Sequence, residues 1–381
     1  MITGPQIYTE QGVVHNATLV IQQDKIQEIT KKNVTTDVIT FPKTYHLVPG
    51  FIDVHVHGAN GSDVMDGDFA ALETMSHALA KEGTTTFLAT TMTATPAAIE
   101  EVLLTIHAFM QKQDEVNGAR ILGVHLEGPF LSPKKVGAQP LAKMLTPNIE
   151  YIKQWQKKSG NQIKLVTLAP ELPHSLELIR FLQTQRIVAA MGHTDATYAE
   201  SLAAIDAGCS HVTHLFNAMR GLHQREPGVI AAALLAEHVS TELIVDGVHL
   251  HPAIVQLILK IKNHEKIVLV TDAMRAKCLA DGAYDLGGQA VEVKNSIARL
   301  ADGTLAGSTL KMFAALRNMM QFTCCDFFSA LKFVTENPAK MLNIFSQKGS
   351  IAPGKDADLV VLDEQFNVVM TMCAGKIVYQ L

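Results

Sequence analysis

Apolar and polar positions follow a block pattern through the middle of the chain. Between about residues 50 and 275, short apolar runs rich in β-branched residues alternate with longer segments of helical periodicity. The runs span residues 48–57, 84–91, 120–128, 163–171, 186–193, 211–217, 242–249 and 266–272. This alternation is typical of a parallel sheet covered by helices. Eight such units within about 230 residues favour a closed α/β structure, a (β/α)8 TIM barrel, over an open doubly wound sheet.

The segments between the runs predict the helices of that barrel. They cover residues 68–82, 97–113, 175–185, 198–207 and 252–263, and the segments 309–322 and 327–342 complete the outer ring. Residues 277–308 lie between the eighth run and the last helices and have strand-like patterning. We expect them to form a β-hairpin insertion over the barrel mouth.

Both chain ends consist of short strand-like pieces separated by turn residues. They are residues 16–29 and 37–41 at one end, and 351–363 and 366–381 at the other. Neither end can bury a core alone, so we expect the two to pair into one small β-sandwich domain beside the barrel. The predicted organisation is a first part of the β-domain at 1–47, a hydrolase barrel at 48–345 and a second part of the β-domain at 346–381.

Composition narrows the class of protein. The 381-residue chain is 48% hydrophobic and 18% charged, with a formal net charge of −5, which is typical of a globular α/β protein. A net negative charge argues against binding to nucleic acid. No stretch reaches the roughly 18 continuous apolar residues of a membrane span. The first residues lack the pattern of a secretory signal. Five cysteines without C-x-x-C spacing argue for a reducing compartment and against a disulfide framework. We therefore expect a cytoplasmic protein without nucleic-acid or membrane partners.

Polar side chains cluster at the carboxyl ends of the apolar runs, the face that carries active sites in barrel enzymes. The first run ends with His55 and His57, which point to the same face of a strand because they are two residues apart. Imidazole is a good ligand for divalent metals. A bare H-x-H is more often a polar strand end than a metal site. Its place at the end of the first barrel strand favours the metal interpretation.

Further candidate ligands end three other runs. Glu127 closes the third run, His193 closes the fifth, and His214 lies in the sixth. Two imidazoles and one carboxylate leave a coordination position open for water, as a catalytic metal requires. Each residue alone could be an ordinary polar group at a strand end, but their joint occurrence favours a metal site. His125 has the same strand parity as Glu127, and we interpret it as packing or support rather than as a ligand.

Asp272 follows the apolar residues of the eighth run, at the rim of the predicted barrel. A carboxylate beside a metal-activated water can accept its proton and later pass it to a leaving amine. The alternative is an aspartate that caps the next helix.

The order of these residues resembles the amidohydrolase superfamily, which has H-x-H on strand one, histidines on strands five and six, and aspartate on strand eight. Many members bridge two metals with a lysine at the end of strand four. Here that run ends in Thr-Leu-Ala-Pro-Glu, and the carboxylate lies on strand three instead. PGFIDVHVHG, HLEGPFLSPKKVGAQP, VTLAPE, GHTDAT, THLFNAM, REPG, DGVH, VTDA and GTLAGST resemble the N-acetylglucosamine-6-phosphate deacetylase family within it. The resemblance runs from the first strand to the C-terminus.

This resemblance implies roles for individual residues. Glu127, His193 and His214 would hold the main divalent metal, with zinc expected and iron, manganese or cobalt as alternatives, and Asp272 would be the acid/base. His55 and His57 would hold a second metal bridged by Glu127, giving one or two ions per subunit. The positions that match contacts to the sugar and its acetyl group are Ala138, Gln139, Asn217, Ala218, Asp246, Gly247, Val248, His249, Leu305, Ala306 and Gly307. Some members have histidine at position 139, whereas Gln139 can donate a hydrogen bond but cannot titrate.

Arg225 matches an arginine that binds the substrate phosphate, often across a subunit interface, so the resemblance also implies a homodimer. An arginine in a loop can bind phosphate in a bidentate manner, although Glu226 beside it leaves a surface ion pair open as an alternative. The expected reaction is deacetylation of N-acetylglucosamine 6-phosphate in amino-sugar catabolism. The alternatives are deacetylation of N-acetylgalactosamine 6-phosphate, a cyclic-amide hydrolase, and a non-catalytic metal- or sugar-binding regulator.

Overall fold

A ring of parallel strands forms the centre of the protein, for which a computed structural model describes residues 1–32 and 37–381. Within these ranges, eight strands pair with their neighbours in chain order. They are β1 (Phe51–Val56), β2 (Thr84–Thr91), β3 (Arg120–Glu127), β4 (Ile163–Leu168), β5 (Val188–Met191), β6 (His211–Val212), β7 (Ser240–Leu243) and β8 (Ile267–Leu269). The chain after β8 joins β1 through a parallel bridge between Val56 and Ala273 and a 2.8 Å bond from the Asp272 N–H to the His55 carbonyl oxygen. The predicted (β/α)8 barrel is confirmed.

Burial explains why the apolar runs become strands. Every residue of β1 and β2 is buried, as expected for parallel strands covered on both faces. Strand β7 differs from the prediction because it ends at Leu243 rather than at residue 249. The Asp246 carboxylate accepts the backbone N–H groups of Val248 and His249, each at 2.8 Å. This local bonding holds residues 246–249 in a turn, so His249 lies beyond the strand rather than at its end.

Helices cover the outside of the barrel. They are α1 (Phe69–Ala80), α2 (Pro96–Lys112), α3 (Ile149–Lys158), α4 (Ser175–Thr184), α5 (Tyr198–Asp206), α6 (Gly228–Leu235), α7 (Pro252–Ile261), α8 (Met312–Thr323), α9 (Phe327–Lys332) and α10 (Glu336–Met341). Short 3₁₀ turns lie at Val64–Asp66, Gln113–Glu115, Leu141–Lys143 and His264–Lys266. The helix predicted over 327–342 is divided into α9 and α10. Pro338 has no N–H to donate to the Val334 carbonyl, so one continuous helix cannot form there.

Both chain ends contribute to one six-stranded sheet beside the barrel. In spatial order its strands are Gly12–Val14, Gln6–Thr9, His46–Pro49, Leu359–Leu362, Val368–Cys373 and Lys376–Gln380. A four-stranded sheet packs with it and contains Ile39–Thr40, Ile2–Thr3, Thr18–Gln22 and Lys25–Thr30. The two sheets enclose their own core, which includes Ile2, Leu19, Leu47 and Leu359. The predicted pairing of the chain ends into a β-domain is confirmed.

The predicted boundaries of that domain, after residues 47 and 345, stay a prediction. The strand His46–Pro49 crosses the first of them and continues towards the barrel. Residues 33–36 belong to the predicted range 1–47 but lie outside the described residues.

The insertion after β8 is a three-stranded antiparallel sheet rather than a simple hairpin. Its strands are Gly282–Leu286, Gln289–Lys294 and Ile297–Arg299. Its apolar face packs on Met92, Ala138 and Met274 at the barrel mouth. The insertion therefore forms one wall of the mouth. Throughout residues 1–32 and 37–381, the helices are too short or too polar to cross a membrane.

Candidate metal centre and active site

The carboxyl ends of the barrel strands bring six buried imidazole and carboxylate side chains together at the mouth. They are His55, His57, Glu127, His193, His214 and Asp272. They come from β1 and the residue after it, from the end of β3, and from the segments that follow β5, β6 and β8. Carboxyl ends of parallel strands meet at one face of a barrel, which explains why residues more than 200 positions apart in sequence converge.

The first cluster consists of Glu127, His193 and His214. The Nε2 atoms of His193 and His214 lie 3.2 Å and 3.0 Å from Oε1 of Glu127 and 3.1 Å from each other. His193 Nδ1 lies 3.0 Å from the carbonyl oxygen of Lys135, to which it can donate its proton. That bond leaves Nε2 facing the cluster, the arrangement found in metal-binding histidines. Two imidazole nitrogens and a carboxylate oxygen that converge in this way fit a divalent metal.

The second cluster adjoins the first and contains His55, His57 and Asp272. The Nε2 atoms of the two histidines are 3.3 Å apart, and Oδ1 of Asp272 lies 3.4 Å and 3.3 Å from them. Glu127 faces this cluster too, because its Oε2 lies 3.2 Å from Nε2 of His57. The Glu127 carboxylate thus stands between the two clusters, in the place of a carboxylate that could bridge two ions.

The backbone is strained at three of these residues. The φ angles of His193, His214 and Asp272 are +46°, +29° and +46°, in the left-handed region that non-glycine residues rarely adopt. Each such conformation costs about 1–3 kcal/mol and persists only where surrounding structure enforces it. All three residues lie two or three positions beyond the ends of their strands, where the turn redirects the side chain towards the centre of the mouth.

Opposite charges determine the protonation of the clusters. Burial opposes the ionised form of Glu127, but His55 and His193 outweigh it and hold the pKa of that carboxyl well below its usual range. Burial likewise opposes the charged form of His57, but hydrogen bonds to Asp272 and Glu127 raise its pKa to about 9. The site therefore favours positive charge. A divalent ion would satisfy the same carboxylates and would release protons on binding.

Asp272 presents a carboxylate to the cavity above the clusters. Burial raises the pKa of its carboxyl, but His55 and His57 have the larger combined effect and lower it below the usual value. The group is therefore ionised near neutral pH, while its side chain lines the cavity above the clusters. An ionised carboxylate at this place can take a proton from a reacting water.

Hydrogen bonds around the clusters involve Gln139, which was predicted to contact substrate, His125, which was interpreted as support, and Glu242, which sequence reasoning did not single out. Gln139 donates from Nε2 to Oε2 of Glu127 at 2.6 Å and accepts the Thr93 N–H at 2.8 Å. His125 lies 2.7 Å from the Thr167 hydroxyl, and burial lowers the pKa of its imidazole to about 3. Glu242, in the middle of β7, accepts hydrogen bonds from histidines of two other strands. A carboxylate at the first position of the predicted run 242–249 was the signal that could have revealed it.

A cavity of about 400 Å³ opens above the clusters. Several positions predicted to contact substrate line it, namely Ala138, Gln139, Asn217, Ala218, His249, Leu305 and Gly307. Asp246 lies behind His249 and accepts its Nδ1 proton at 2.7 Å. Gly247, Val248 and Ala306 are neighbours of these positions that do not themselves line the cavity. Sequence reasoning missed Arg299, Met92 and Leu286 in the wall, because only the folded insertion brings that wall together.

Arg225 lies apart from this cavity, in an exposed loop before α6. Its neighbour Glu226 accepts the backbone N–H groups of Tyr198 at 2.7 Å and Gly228 at 3.3 Å. Among the salt bridges of the described residues, none involves the Arg225 guanidinium. The surface ion pair considered from the sequence is therefore absent from the described part of the chain.

The amidohydrolase family matches residues 46–378 of the chain. The chain belongs to the amidohydrolase family. The family is metal-dependent, and the two clusters are groups of this amidohydrolase that could hold an ion. The match covers the whole barrel and the second part of the β-domain up to residue 378, so the barrel and its mouth belong to one family unit.

Curated and solved relatives of this amidohydrolase cover nearly its whole length. It is 45% identical over 377 residues to N-acetylglucosamine-6-phosphate deacetylase of Bacillus subtilis, across 98% of this chain and 95% of that protein. It is 37% identical over 372 residues to N-acetylgalactosamine-6-phosphate deacetylase of Escherichia coli O157:H7, across 98% and 97% of the two chains. A mutant of N-acetyl-D-glucosamine-6-phosphate deacetylase from Mycobacterium smegmatis, in complex with N-acetyl-D-glucosamine-6-phosphate, is similar in structure with a TM-score of 0.93 and 33% identity. That alignment covers 100% of this chain and 99% of the other.

Proposed function

We propose that this amidohydrolase removes the acetyl group of N-acetyl-D-glucosamine 6-phosphate, giving D-glucosamine 6-phosphate and acetate in amino-sugar catabolism. The observation that carries the proposal is the convergence of Glu127, His193 and His214 with ionised Asp272 at the floor of one cavity. The relative from Bacillus subtilis, 45% identical over nearly the full length, is named for this activity.

The residues of the mouth divide the chemistry between them. A divalent metal held by Glu127, His193 and His214 would lower the pKa of a bound water towards ~7 and polarise the acetamide carbonyl. Asp272 accepts the proton of the attacking water at its carboxylate and then donates that proton to the departing amine. Gln139 holds the Glu127 carboxylate in place through its amide and takes no part in proton transfer, because an amide does not titrate.

We propose zinc as the main ion, with iron, manganese or cobalt as alternatives, since imidazole and carboxylate ligands suit all four and availability decides among them. His55 and His57 are proposed to hold a second ion that Glu127 bridges. Metal analysis of the purified protein identifies the ion and its stoichiometry. A protein free of bound metal after purification in metal-replete buffer would contradict this part of the proposal.

The experiment that tests the function is an assay of amine release from N-acetylglucosamine 6-phosphate, with and without a chelator. We expect release of one amine and one acetate per substrate, loss of turnover on chelation, and its return when zinc is restored. Turnover that is unaffected by complete metal removal, or no turnover by metal-loaded protein, would overturn the proposal.

A second candidate substrate is N-acetylgalactosamine 6-phosphate, because a relative named for that activity is 37% identical over 372 residues. The two sugars differ in the orientation of one hydroxyl, which loop geometry at the mouth must read. Parallel measurement of kcat/KM on both sugars distinguishes them, and the larger value identifies the substrate. A cyclic-amide hydrolase is a weaker candidate, since Leu168 and Ala169 stand at the end of β4, where many relatives place a bridging lysine.

The substrate phosphate is proposed to bind Arg225 of a neighbouring subunit in a homodimer. The exposed guanidinium lies outside the cavity of its own chain and has no ion pair among the described residues. A planar guanidinium matches the oxygens of a phosphate. The cytoplasm is the proposed compartment. Light scattering of the purified protein tests the dimer, and a monomer at assay concentration would contradict it.

Arg225→Ala is expected to raise KM for the phosphorylated sugar by about 10- to 150-fold and to change kcat little. The loss of a charge-assisted hydrogen bond costs about 1.5–3 kcal/mol, and phosphate binding lies far from the reacting carbonyl. Steady-state kinetics measures both constants. Arg180→Ala removes another exposed arginine, on α4, and serves as the control. An unchanged KM in the Arg225 variant would refute its role in phosphate binding.

A further inference from the structure

Glu242 is a fully buried carboxylate in the middle of β7, below the two clusters. Its Oε2 lies 2.9 Å from Nδ1 of His55 and 3.1 Å from the backbone nitrogen of His214. Its Oε1 lies 3.0 Å from Nε2 of His211. The carboxylate thus contacts three N–H donors on β1, β6 and the turn after β6. Glu242 is not among the residues that line the cavity above the clusters.

These contacts fix the orientation of the His55 ring. The ionised Glu242 carboxylate only accepts hydrogen bonds, so His55 donates to it from Nδ1. Nε2 then faces His57, Glu127 and Asp272 at distances of 3.3–3.4 Å, and it is the nitrogen that would release its proton on metal binding. His57 differs, because its Nδ1 has no hydrogen-bond partner within the described residues. A hydrogen bond at Nδ1 therefore fixes the orientation of the His55 ring, whereas the described residues provide no such bond for His57.

Oε2 of Glu242 also links the two clusters. The same oxygen that accepts the His55 proton accepts the backbone N–H of His214, a residue of the first cluster. His214 has a strained φ of +29° at this point, and the bond to Glu242 helps to hold that turn. Glu242 contacts only the backbone of His214, whereas it contacts the imidazole of His55. His55 Nδ1 has Glu242 as its partner.

We propose that Glu242 is a positioning residue that creates the second metal position, by holding His55 with its Nε2 towards Glu127 and Asp272. The proposal rests on the metal centre of the proposed function but not on its substrate. A partner that orients a metal-binding histidine through its other ring nitrogen typically changes metal affinity about 10- to 100-fold. Because Glu242 contacts the imidazole of His55 but only the backbone of His214, the second ion depends on Glu242 more than the first does.

The test is a Co²⁺ titration of the metal-free protein, followed by equilibrium dialysis and the visible absorption of bound Co²⁺. Wild type is expected to bind two ions per chain. Glu242→Met keeps side-chain length but removes both acceptors, and it is expected to weaken the second ion about 10- to 100-fold with a smaller effect on the first. Glu242→Gln keeps one acceptor and should lie between wild type and Glu242→Met.

Thr241→Val is the matched control, because Thr241 is buried in the same strand and its hydroxyl has no partner among the described residues. This control should bind both ions as wild type does. The proposal is overturned if wild type binds one ion, if Glu242→Met binds the second ion normally, or if the control weakens it equally. Equal weakening of both ions by Glu242→Met also overturns it. If Glu242→Met does not fold, the Glu242→Gln variant decides. The proposal is refuted if that variant binds the second ion as tightly as wild type does.

Amine release is measured separately on each variant. Wild type that binds two ions but does not deacetylate the phosphorylated sugar would remove the proposed function and leave the role of Glu242 intact. If wild type deacetylates the sugar but Glu242→Met binds the second ion normally, the proposed function stands and the role of Glu242 is refuted.

Discussion

Asp272→Asn is expected to lower kcat by about 10²- to 10⁴-fold, the range for loss of a general acid/base. An amide cannot accept the proton of the attacking water or return it to the amine. The ion at Glu127, His193 and His214 should stay, because Asp272 belongs to the second cluster rather than to the first. Steady-state kinetics on N-acetylglucosamine 6-phosphate and metal analysis of the same sample measure the two quantities. We expect kcat and kcat/KM to fall together.

Asp24→Asn gives the matched control, since Asp24 is an exposed aspartate far from the mouth. It should leave both kcat and metal content unchanged. Undiminished turnover in Asp272→Asn would remove Asp272 from the mechanism. A loss of the first ion in that variant would show that Asp272 acts through metal binding instead of proton transfer.

Glu127→Gln is expected to have the largest effect on the metal centre, with loss of bound metal and at least about 10³-fold lower turnover. Loss of an ion's stabilisation of the transition state amounts to several kcal/mol. The carboxylate oxygens of Glu127 face both clusters, and they balance the positive charge of the surrounding imidazoles. A neutral amide removes that charge and presents an N–H₂ group to the centre.

Metal analysis after dialysis and the amine-release assay check this expectation. Glu101→Gln, an exposed substitution on α2, provides the control and should bind metal normally. A Glu127→Gln protein that retains full metal content and wild-type turnover would show that neither cluster depends on this carboxylate.

Much of the fold could be predicted from the sequence because the parallel strands are buried on both faces. Thr84–Thr91 is buried at every position, and its boundaries agree with the predicted run. Strand β7 shows the limit of this reasoning, since the apolar run continues past Leu243 although the strand does not. The side chain of Asp246 captures the backbone N–H groups that a longer strand would need. The periodicity of apolar residues does not predict where a side chain will bind backbone N–H groups and so end a strand.

The candidate metal ligands could also be predicted, because the carboxyl ends of barrel strands meet at one face whatever the loops do. Their mutual distances could not. The approach of His57 to Asp272 depends on how the chain after β8 bridges to β1 and closes the ring. Closure depends on strand tilt and stagger, which are properties of the whole sheet.

The sequence by itself determined the barrel, the pairing of the chain ends and the identity of the residues that surround the centre. These features follow from burial periodicity and from the types of side chain at strand ends. Only the tertiary structure decided that Glu242 contacts His55 from 187 positions away, and that the insertion carries Arg299 to the cavity. Such contacts are determined by the register between distant strands and by the docking of a loop, and neither leaves a periodic trace in the chain.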